Sequence, residues 1–312
     1  MTSPSPSAAD APAPRRSSFR TWLQLLRAPN LFTVPGDPLA GFLLANNGFT
    51  NWTLVAAMLA SLCFYGAGLL MNDLADEAED RRDRPSRPLP SGAARRGSVI
   101  AVTVALSALG LGILAATRHP GALLAGIGVL VAVTCYNYVT KGWPIIGALN
   151  MGACRTLSIL IGALCSSTGS WKLGILPAVF LGLYIAAVTN LARHETKPSA
   201  PLSAKLLPIG ALSILSFGGI SYALFSSTTL PAIGFFALAM AFALWTTLRL
   251  CKKPQPPVPP MIGAFIRLLL PLQAAFCYCG DPYPWEIGVV AAFVLIALWP
   301  ISRAVSKAFY AS

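Results

Sequence analysis

The stretch Met71–Gly92, MNDLADEAEDRRDRPSRPLPSG, is unlike the rest of the chain and decides how it is read. Six of the eleven acidic residues of the protein (Asp73, Asp76, Glu77, Glu79, Asp80 and Asp83) fall within eleven positions of it, directly after an apolar run. If that run continues as a helix, at ~100° per residue, Asp73, Asp76, Asp80 and Asp83 share one face. Like charges three or four residues apart repel by roughly 0.2–0.5 kcal/mol per pair in water, and by more beside a membrane. The face therefore demands a cation. The arginines that follow (Arg81, Arg82, Arg84, Arg87) are one source and a divalent metal is another. Magnesium takes oxygen ligands, commonly one or two carboxylates together with the phosphates of a substrate, while guanidinium groups grip free phosphate oxygens. The pattern suits a Mg²⁺-bound diphosphate; the alternative is a juxtamembrane loop whose charges pair with one another and with water.

Outward from this stretch the chain is apolar. With 55% hydrophobic and 11% charged residues and a mean hydropathy of +0.65, it departs from soluble domains, in which about 25% of residues are charged. An all-α polytopic membrane bundle is expected. Apolar runs of about 20 residues, enough to cross a bilayer, lie near 22–47, 52–71, 98–117, 120–139, 144–166, 172–192, 206–226, 230–250, 261–279 and 285–303. The first is broken by Pro35 and Pro38, and the ninth carries Arg267, Pro271 and Gln273, so nine or ten spans are expected.

Lys and Arg collect in cytoplasmic loops. With ten spans and the N-terminus inside, nineteen of the 23 basic residues fall on the inner side and only Arg118 and Lys172 outside, with Arg155 and Arg267 within spans. That asymmetry predicts an integral protein of a bacterial plasma membrane with both termini and the Asp-rich loop in the cytoplasm. The net charge of +12 follows from it and points to anionic lipid headgroups, not nucleic acid, because the basic residues are scattered over short loops without interleaved aromatics. The seven cysteines form no CxxC pair and read as small buried hydrophobes.

Residues 1–18, rich in Ser, Pro and Ala, read as a disordered cytoplasmic tail without the apolar core of a signal peptide, and 19–312 as one membrane domain. Pro35-Gly36-Asp37-Pro38 must break or kink the first span. Polar groups at that depth are costly unless they face a cavity or a partner, so Asn30 and Asp37 are expected to line a cavity, with Asp37 alternatively the partner of an intramembrane arginine. Arg155, about three turns into the fifth span, either pairs with Asp37 or reaches a bound anion. Pro85, Pro88, Pro90 and Gly92 forbid a continuing helix, and Ser91 is placed to cap the third span. Residues 252–260 form a proline-rich connector, and 280–286 an outer turn with Tyr283 and Trp285 at headgroup level.

Asn72-Asp73-x-x-Asp76-x-x-x-Asp80, followed by Arg87-Pro88-Leu89-Pro90-Ser91-Gly92, resembles the first aspartate-rich motif of the UbiA superfamily of intramembrane prenyltransferases. The L-x-R-x-P-N segment ending at Asn30 is similar to the start of such proteins. The resemblance implies a helical bundle around a central cavity, in which Asp73, Asp76 and Asp80, assisted by Asn72, hold Mg²⁺ and a prenyl diphosphate donor. It places a tyrosine and a lysine at the end of the fourth span, here Tyr136 and Lys141, close to that diphosphate. Lys141 and Arg87 would neutralise the leaving group, and the face of Tyr136 would stabilise an allylic cation, although Tyr136 and Tyr138 also suit an interfacial belt. Arg155 and Asn190 join this candidate substrate-binding set.

One departure stands out. Where that family presents a second aspartate-rich motif, this chain has Asn190-Leu191-Ala192-Arg193-His194-Glu195, without aspartate. Glu195 is the remaining carboxylate for metal, Arg193 a cation for diphosphate, and His194 a base near neutral pH. This loop and the segment Met151-Gly152-Ala153-Cys154-Arg155 resemble the EboC-type subgroup of UbiA-like proteins. Two functions are thus implied: Mg²⁺-dependent transfer of an isoprenyl group to a lipophilic, expectedly aromatic, acceptor within the membrane, or non-catalytic binding or transport of an amphiphilic metabolite. A CDP-alcohol phosphotransferase would need a D-G-x-x-A-R-type motif that the chain lacks.

Overall fold

The first apolar run does not form one helix. In the computed structural model, which describes residues 18–45, 51–167, 169–195, 199–225, 230–252, 257–280 and 287–310, it is divided into α1 (Ser18–Leu25), α2 (Ala28–Leu31) and α3 (Gly36–Ala45). The first break falls at Arg27, whose backbone is left-handed (φ 45°), and the second before Pro35, which has no N–H to offer and disfavours a helical Val34. Of the expected tail only Ser18 is described; Lys197, residues 253–256 of the connector and the 281–286 turn lie outside the described residues.

The other nine runs form helices. They are α4 (Trp52–Ala75), α6 (Arg96–Ala116), α7 (Pro120–Cys135) extended by a π turn (Tyr136–Thr140), α8 (Pro144–Cys165), α9 (Ile175–Ala192) after a 3₁₀ turn (Trp171–Gly174), α10 (Leu202–Phe225), α11 (Leu230–Leu250), the pair α12 (Val258–Arg267) and α13 (Leu269–Gly280), and α14 (Ile287–Tyr310). A short α5 (Glu77–Asp83) follows α4. Among the described residues nine helical segments are long and apolar enough to cross a membrane. The choice between nine and ten spans turns on the first run, which is present but broken, its longest piece having only ten residues.

Side chains on the outer faces are apolar, among them Leu124, Phe217 and Leu224, as a hydrocarbon solvent requires. Inside, α8 is the hub, packed on α3, α7 and α9, while α13 closes the bundle between α3 and α14. The hub works through close backbone approach. A Cβ on Gly162 would collide with the Pro38 carbonyl, one on Gly41 with the Ile159 carbonyl, and one on Gly152 with the Gly182 carbonyl. Small residues that let backbones touch are the standard adhesive where lipid is as apolar as the side chains.

Candidate functional site

The helix α4 ends at Ala75, yet α5 resumes after the single linking residue Asp76, and the backbone bonds from Asp76 N–H to Asn72 and from Asp80 N–H to Asp76 keep near-helical spacing. Asp73, Asp76 and Asp80 therefore stay close to one face, whereas Asp83, expected with them, is exposed. Each of the three meets a cation from elsewhere in the chain. Lys141 Nζ contacts both carboxylate oxygens of Asp76, Arg87 Nη1 donates to Asp80 Oδ2 at 2.7 Å, and Asp73 Oδ1 lies 3.5 Å from Arg27 Nη2 and 3.9 Å from Arg87 Nη1. Asn72 joins them, accepting from Arg27 Nη2 and donating to Asn137 Oδ1, both at 3.1 Å.

Two local structures deliver the cations. The Pro-rich loop after Arg84 curls on itself, with Ala94 N–H on the Pro88 carbonyl and Gly92 left-handed (φ 74°), and Leu89 anchors it in a small core with Leu25, Leu70 and Val99. Arg87 is thereby turned back onto the motif. Ser91 does not cap α6: its hydroxyl faces the Pro88 carbonyl at 3.4 Å, and Arg95 precedes the helix without a side-chain cap. Lys141 is set by the π turn, where its N–H bonds the Tyr136 carbonyl, Thr140 Oγ1 the Cys135 carbonyl, and Asn150 Nδ2 the Thr140 hydroxyl at 3.0 Å. Single π turns inside helices recur at functional sites. This one separates the two tyrosines: Tyr136 lines the cavity, and Tyr138 is 60% exposed on the outer surface.

Deeper in the bundle, Asp37 and Arg155 pair as one of the two readings of the sequence had it. Arg155 Nη1 is 2.5 Å from Asp37 Oδ2, and its guanidinium reaches the Thr33 carbonyl and hydroxyl and lies 5.5 Å from the centre of the Tyr65 ring. Gln273 on α13 donates through Nε2 to Asp37 Oδ1 at 2.6 Å and to the same Thr33 carbonyl at 2.7 Å. That carbonyl is available because the first span breaks there. Asp37 is fully buried, so the charge is tolerable only with these partners.

The Asn190–Glu195 loop contributes less to the cavity than its residue types suggest. Glu195 is taken by Arg84 Nη2 at 2.9 Å. Arg193 donates to the carbonyls of Lys141 at 3.2 Å and Gly142 at 3.4 Å, tying its loop to the π turn. His194 Nδ1 is 3.1 Å from the Asn190 carbonyl. Arg193 and Glu195 line the cavity, but Asn190 does not; Thr189, one residue earlier, does. Outside the spans, Glu77 accepts from Arg81 at 2.7 Å and Arg96 at 2.5 Å. These hydrogen bonds, that of Arg81 first, hold its carboxyl below the ordinary value of 4.5.

All of this borders one cavity of about 1970 Å³. Asn30, Asn72, Asp76, Asp80, Arg87 and Lys141 line its polar end, and Phe64, Val129, Ile161 and Val188 its apolar wall. Asp73 stands behind that lining, held by its two arginines. Among the described residues no three carboxylate, His or Cys side chains converge as a ready-made metal cage. The donor chemistry fits magnesium all the same, because Asp73, Asp76, Asp80 and Asn72 offer hard oxygens, and Mg²⁺ needs only one or two carboxylates when substrate phosphates complete its shell. Arg27 and Asn137 were not singled out from the sequence as site residues, and Arg84 was named only among the arginines that could balance the carboxylates.

Residues 38–197, just over half of the chain, match the model of the UbiA prenyltransferase family. The chain belongs to that family. It is 24% identical over 178 residues to digeranylgeranylglyceryl phosphate synthase of Saccharolobus solfataricus, covering 56% of this chain and 62% of the relative. It is 29% identical to the enzyme of that name from Natronomonas pharaonis, covering 57% and 62%. The match thus spans less than two thirds of these relatives. Among solved structures, the UbiA fold recurs in a UbiA homologue from Aeropyrum pernix K1 (TM-score 0.66, 17% identity, 79% of this chain and 96% of that one). It recurs also in a homologue from Archaeoglobus fulgidus bound to GPP and Mg²⁺ (TM-score 0.58, 17% identity, 89% and 99%).

Proposed function

We propose that this UbiA-family protein transfers an isoprenyl group from a prenyl diphosphate to a lipophilic acceptor inside the membrane, with Mg²⁺ as cofactor. The observation that carries the reading is the placement of Asp76, Asp80 and Asn72, with Arg87 and Lys141, at the polar end of a cavity whose remaining wall is apolar. Asp73, Asp76 and Asp80, aided by Asn72, would hold Mg²⁺, which supplies neutralisation of charge on the departing diphosphate. Lys141 and Arg87 sit on the carboxylates at the point where that diphosphate would lie, and can exchange a carboxylate for a phosphate oxygen. Tyr136 offers a ring face to the allylic carbon as positive charge builds, and Phe64, Val129, Ile161 and Val188 keep water from it. The names of the relatives and the GPP and Mg²⁺ bound by the Archaeoglobus fulgidus homologue support the same donor chemistry.

The test is to incubate the protein, in membranes of its own host, with labelled isoprenyl diphosphates of several chain lengths and Mg²⁺, beside Asp76→Ala. A labelled lipid that vanishes with EDTA and in the variant is the expected result. Folded protein that gives neither lipid product nor diphosphate release with any donor would overturn the reading and leave binding or transport of an amphiphile in its place.

A further inference from the structure

The polar lining of the cavity is not confined to the end that carries the aspartates. Asn72 and Tyr65 both line it from α4, seven residues apart, a separation of about 10 Å along a helix. The neighbours between these two levels are apolar: Gly68 and Leu69 on α4, Val133 on α7 and Met151 on α8. At the level of Tyr65 polar groups return. The Arg155 guanidinium lies 5.5 Å from the centre of the Tyr65 ring and, with Asp37, borders the same space. About a turn deeper, Ser61 and Ser158 line it too, their hydroxyls 3.3 Å apart. Arg155 is pinned by Asp37, by the carbonyl and hydroxyl of Thr33 and by the Tyr65 ring, so it cannot swing out of the way. The transfer step described above uses none of Tyr65, Ser61 and Ser158.

We propose that this polar band, with Tyr65 and Arg155 at its front, limits the length of the isoprenyl chain, so that the donor is a short one, geranyl diphosphate in preference to farnesyl or longer. This rests on the transfer reading above and deepens it. With its diphosphate beside Asn72 and Asp76, the chain of the donor would run down the apolar corridor past Gly68. An extended isoprene unit, with carbon–carbon bonds of about 1.5 Å, spans about 5 Å. The two units of a geranyl chain thus fill a corridor of about 10 Å, and the third unit of a farnesyl chain reaches the band. Up to that point each added unit removes apolar surface from water and strengthens binding. Beyond it the chain must lie against a guanidinium with more N–H donors than its bonds to Thr33 and Asp37 use, and an alkene satisfies none of them. Leaving a buried donor without a partner costs about tenfold in affinity or more.

Equilibrium binding of labelled dimethylallyl, geranyl, farnesyl and geranylgeranyl diphosphates to the purified full chain, in neutral detergent with Mg²⁺ and no acceptor, reads the limit directly. Affinity is expected to rise from dimethylallyl to geranyl and to fall about tenfold or more at farnesyl. In Asp37→Leu/Arg155→Met, apolar side chains replace the ion pair, an exchange that buried pairs often tolerate, and the ratio of geranyl to farnesyl affinity should shrink toward one. The ratio is read on monodisperse protein, where a merely structural role for the pair would lower both affinities alike. Gly68→Val tests the path without touching the pair: it should weaken geranyl by more than dimethylallyl, since the longer chain must pass that residue. Affinity that keeps rising through farnesyl and geranylgeranyl, a ratio unmoved in Asp37→Leu/Arg155→Met, or equal losses of both short donors in Gly68→Val would each overturn the proposal and leave transfer standing. Folded protein that binds none of these diphosphates would overturn the transfer reading, and the length limit with it.

Discussion

The two sides of the cavity handle positive charge in opposite ways. On the side built by α2–α9, cations are matched by carboxylates: Lys141 with Asp76, Arg87 with Asp80, Arg27 with Asp73, Arg84 with Glu195 and Arg155 with Asp37. On the side built by α11, α12 and α14, Arg249 rests on an indole, and Arg267 reaches a serine hydroxyl. The first arrangement suits the proposed metal and diphosphate, because carboxylates and cations both have something to exchange. The second presents the guanidinium groups of Arg249, Arg267 and Arg303 to the cavity.

Substitutions on the two sides should accordingly fail in different ways. The largest effect belongs to Asp76→Ala, which removes an oxygen proposed to hold the metal and frees Lys141. Loss of one preorganised electrostatic group of this kind slows reactions by about 10²–10³-fold, and prenyl transfer with labelled donor should fall at least that far while the chain stays folded. A normal rate in this variant would erase the distinction between the sides. Next comes Asp37→Ala, which strands Arg155 in the interior; breaking a buried pair costs about 3–5 kcal/mol. Its signature is a lowered melting temperature or loss of monodisperse protein in detergent, and Asp37→Leu with Arg155→Met should recover much of it.

Gly162→Ala probes packing without touching charge. Its Cβ would press on the Pro38 carbonyl, an overpacking that costs about 1–3 kcal/mol and pushes α3 from α8, so melting temperature and activity should drop together. The smallest effect is electrostatic and lies outside the spans. Because Glu77 is held below 4.5 by its arginines, its contribution to stability is present above that value and fades as pH falls through the lowered one. Arg81 and Arg96 are 63% and 62% exposed, so Glu77→Gln should flatten the acid limb of the thermal-stability profile by no more than about 1 kcal/mol.

Much of this was legible because charge is scarce in the chain. Asp73, Asp76 and Asp80 are conspicuous after an apolar run, and Asp37 and Arg155 are opposite charges at hydrocarbon depth, so each advertised a need for a partner. Apart from the Asp37–Arg155 pair, which was one of two readings, what the sequence could not carry was which partner each group meets. Gln273 reaches Asp37 across 236 positions, and Asn137 meets Asn72 from within a π turn. Those contacts depend on how helices are rotated about their axes, which hydropathy does not encode. In the Glu195 loop, too, the partners were not legible: Arg84 engages Glu195, and two backbone carbonyls engage Arg193, while both side chains still line the cavity.

The turn at Tyr136–Thr140 has a consequence for insertions and deletions. A π turn accommodates one residue more than an α-helix would over the same rise, so a version of this span shortened by a single residue there, at Val139 for instance, could run straight to its end. A one-residue deletion in the α-helical part of the span, with the π turn kept, would instead swing everything beyond the cut by ~100°, carrying Lys141 off Asp76 and the Gly142 carbonyl off Arg193 while leaving hydropathy and span length almost unaltered. The register of one amino acid, more than any single side chain, is what aims the lysine.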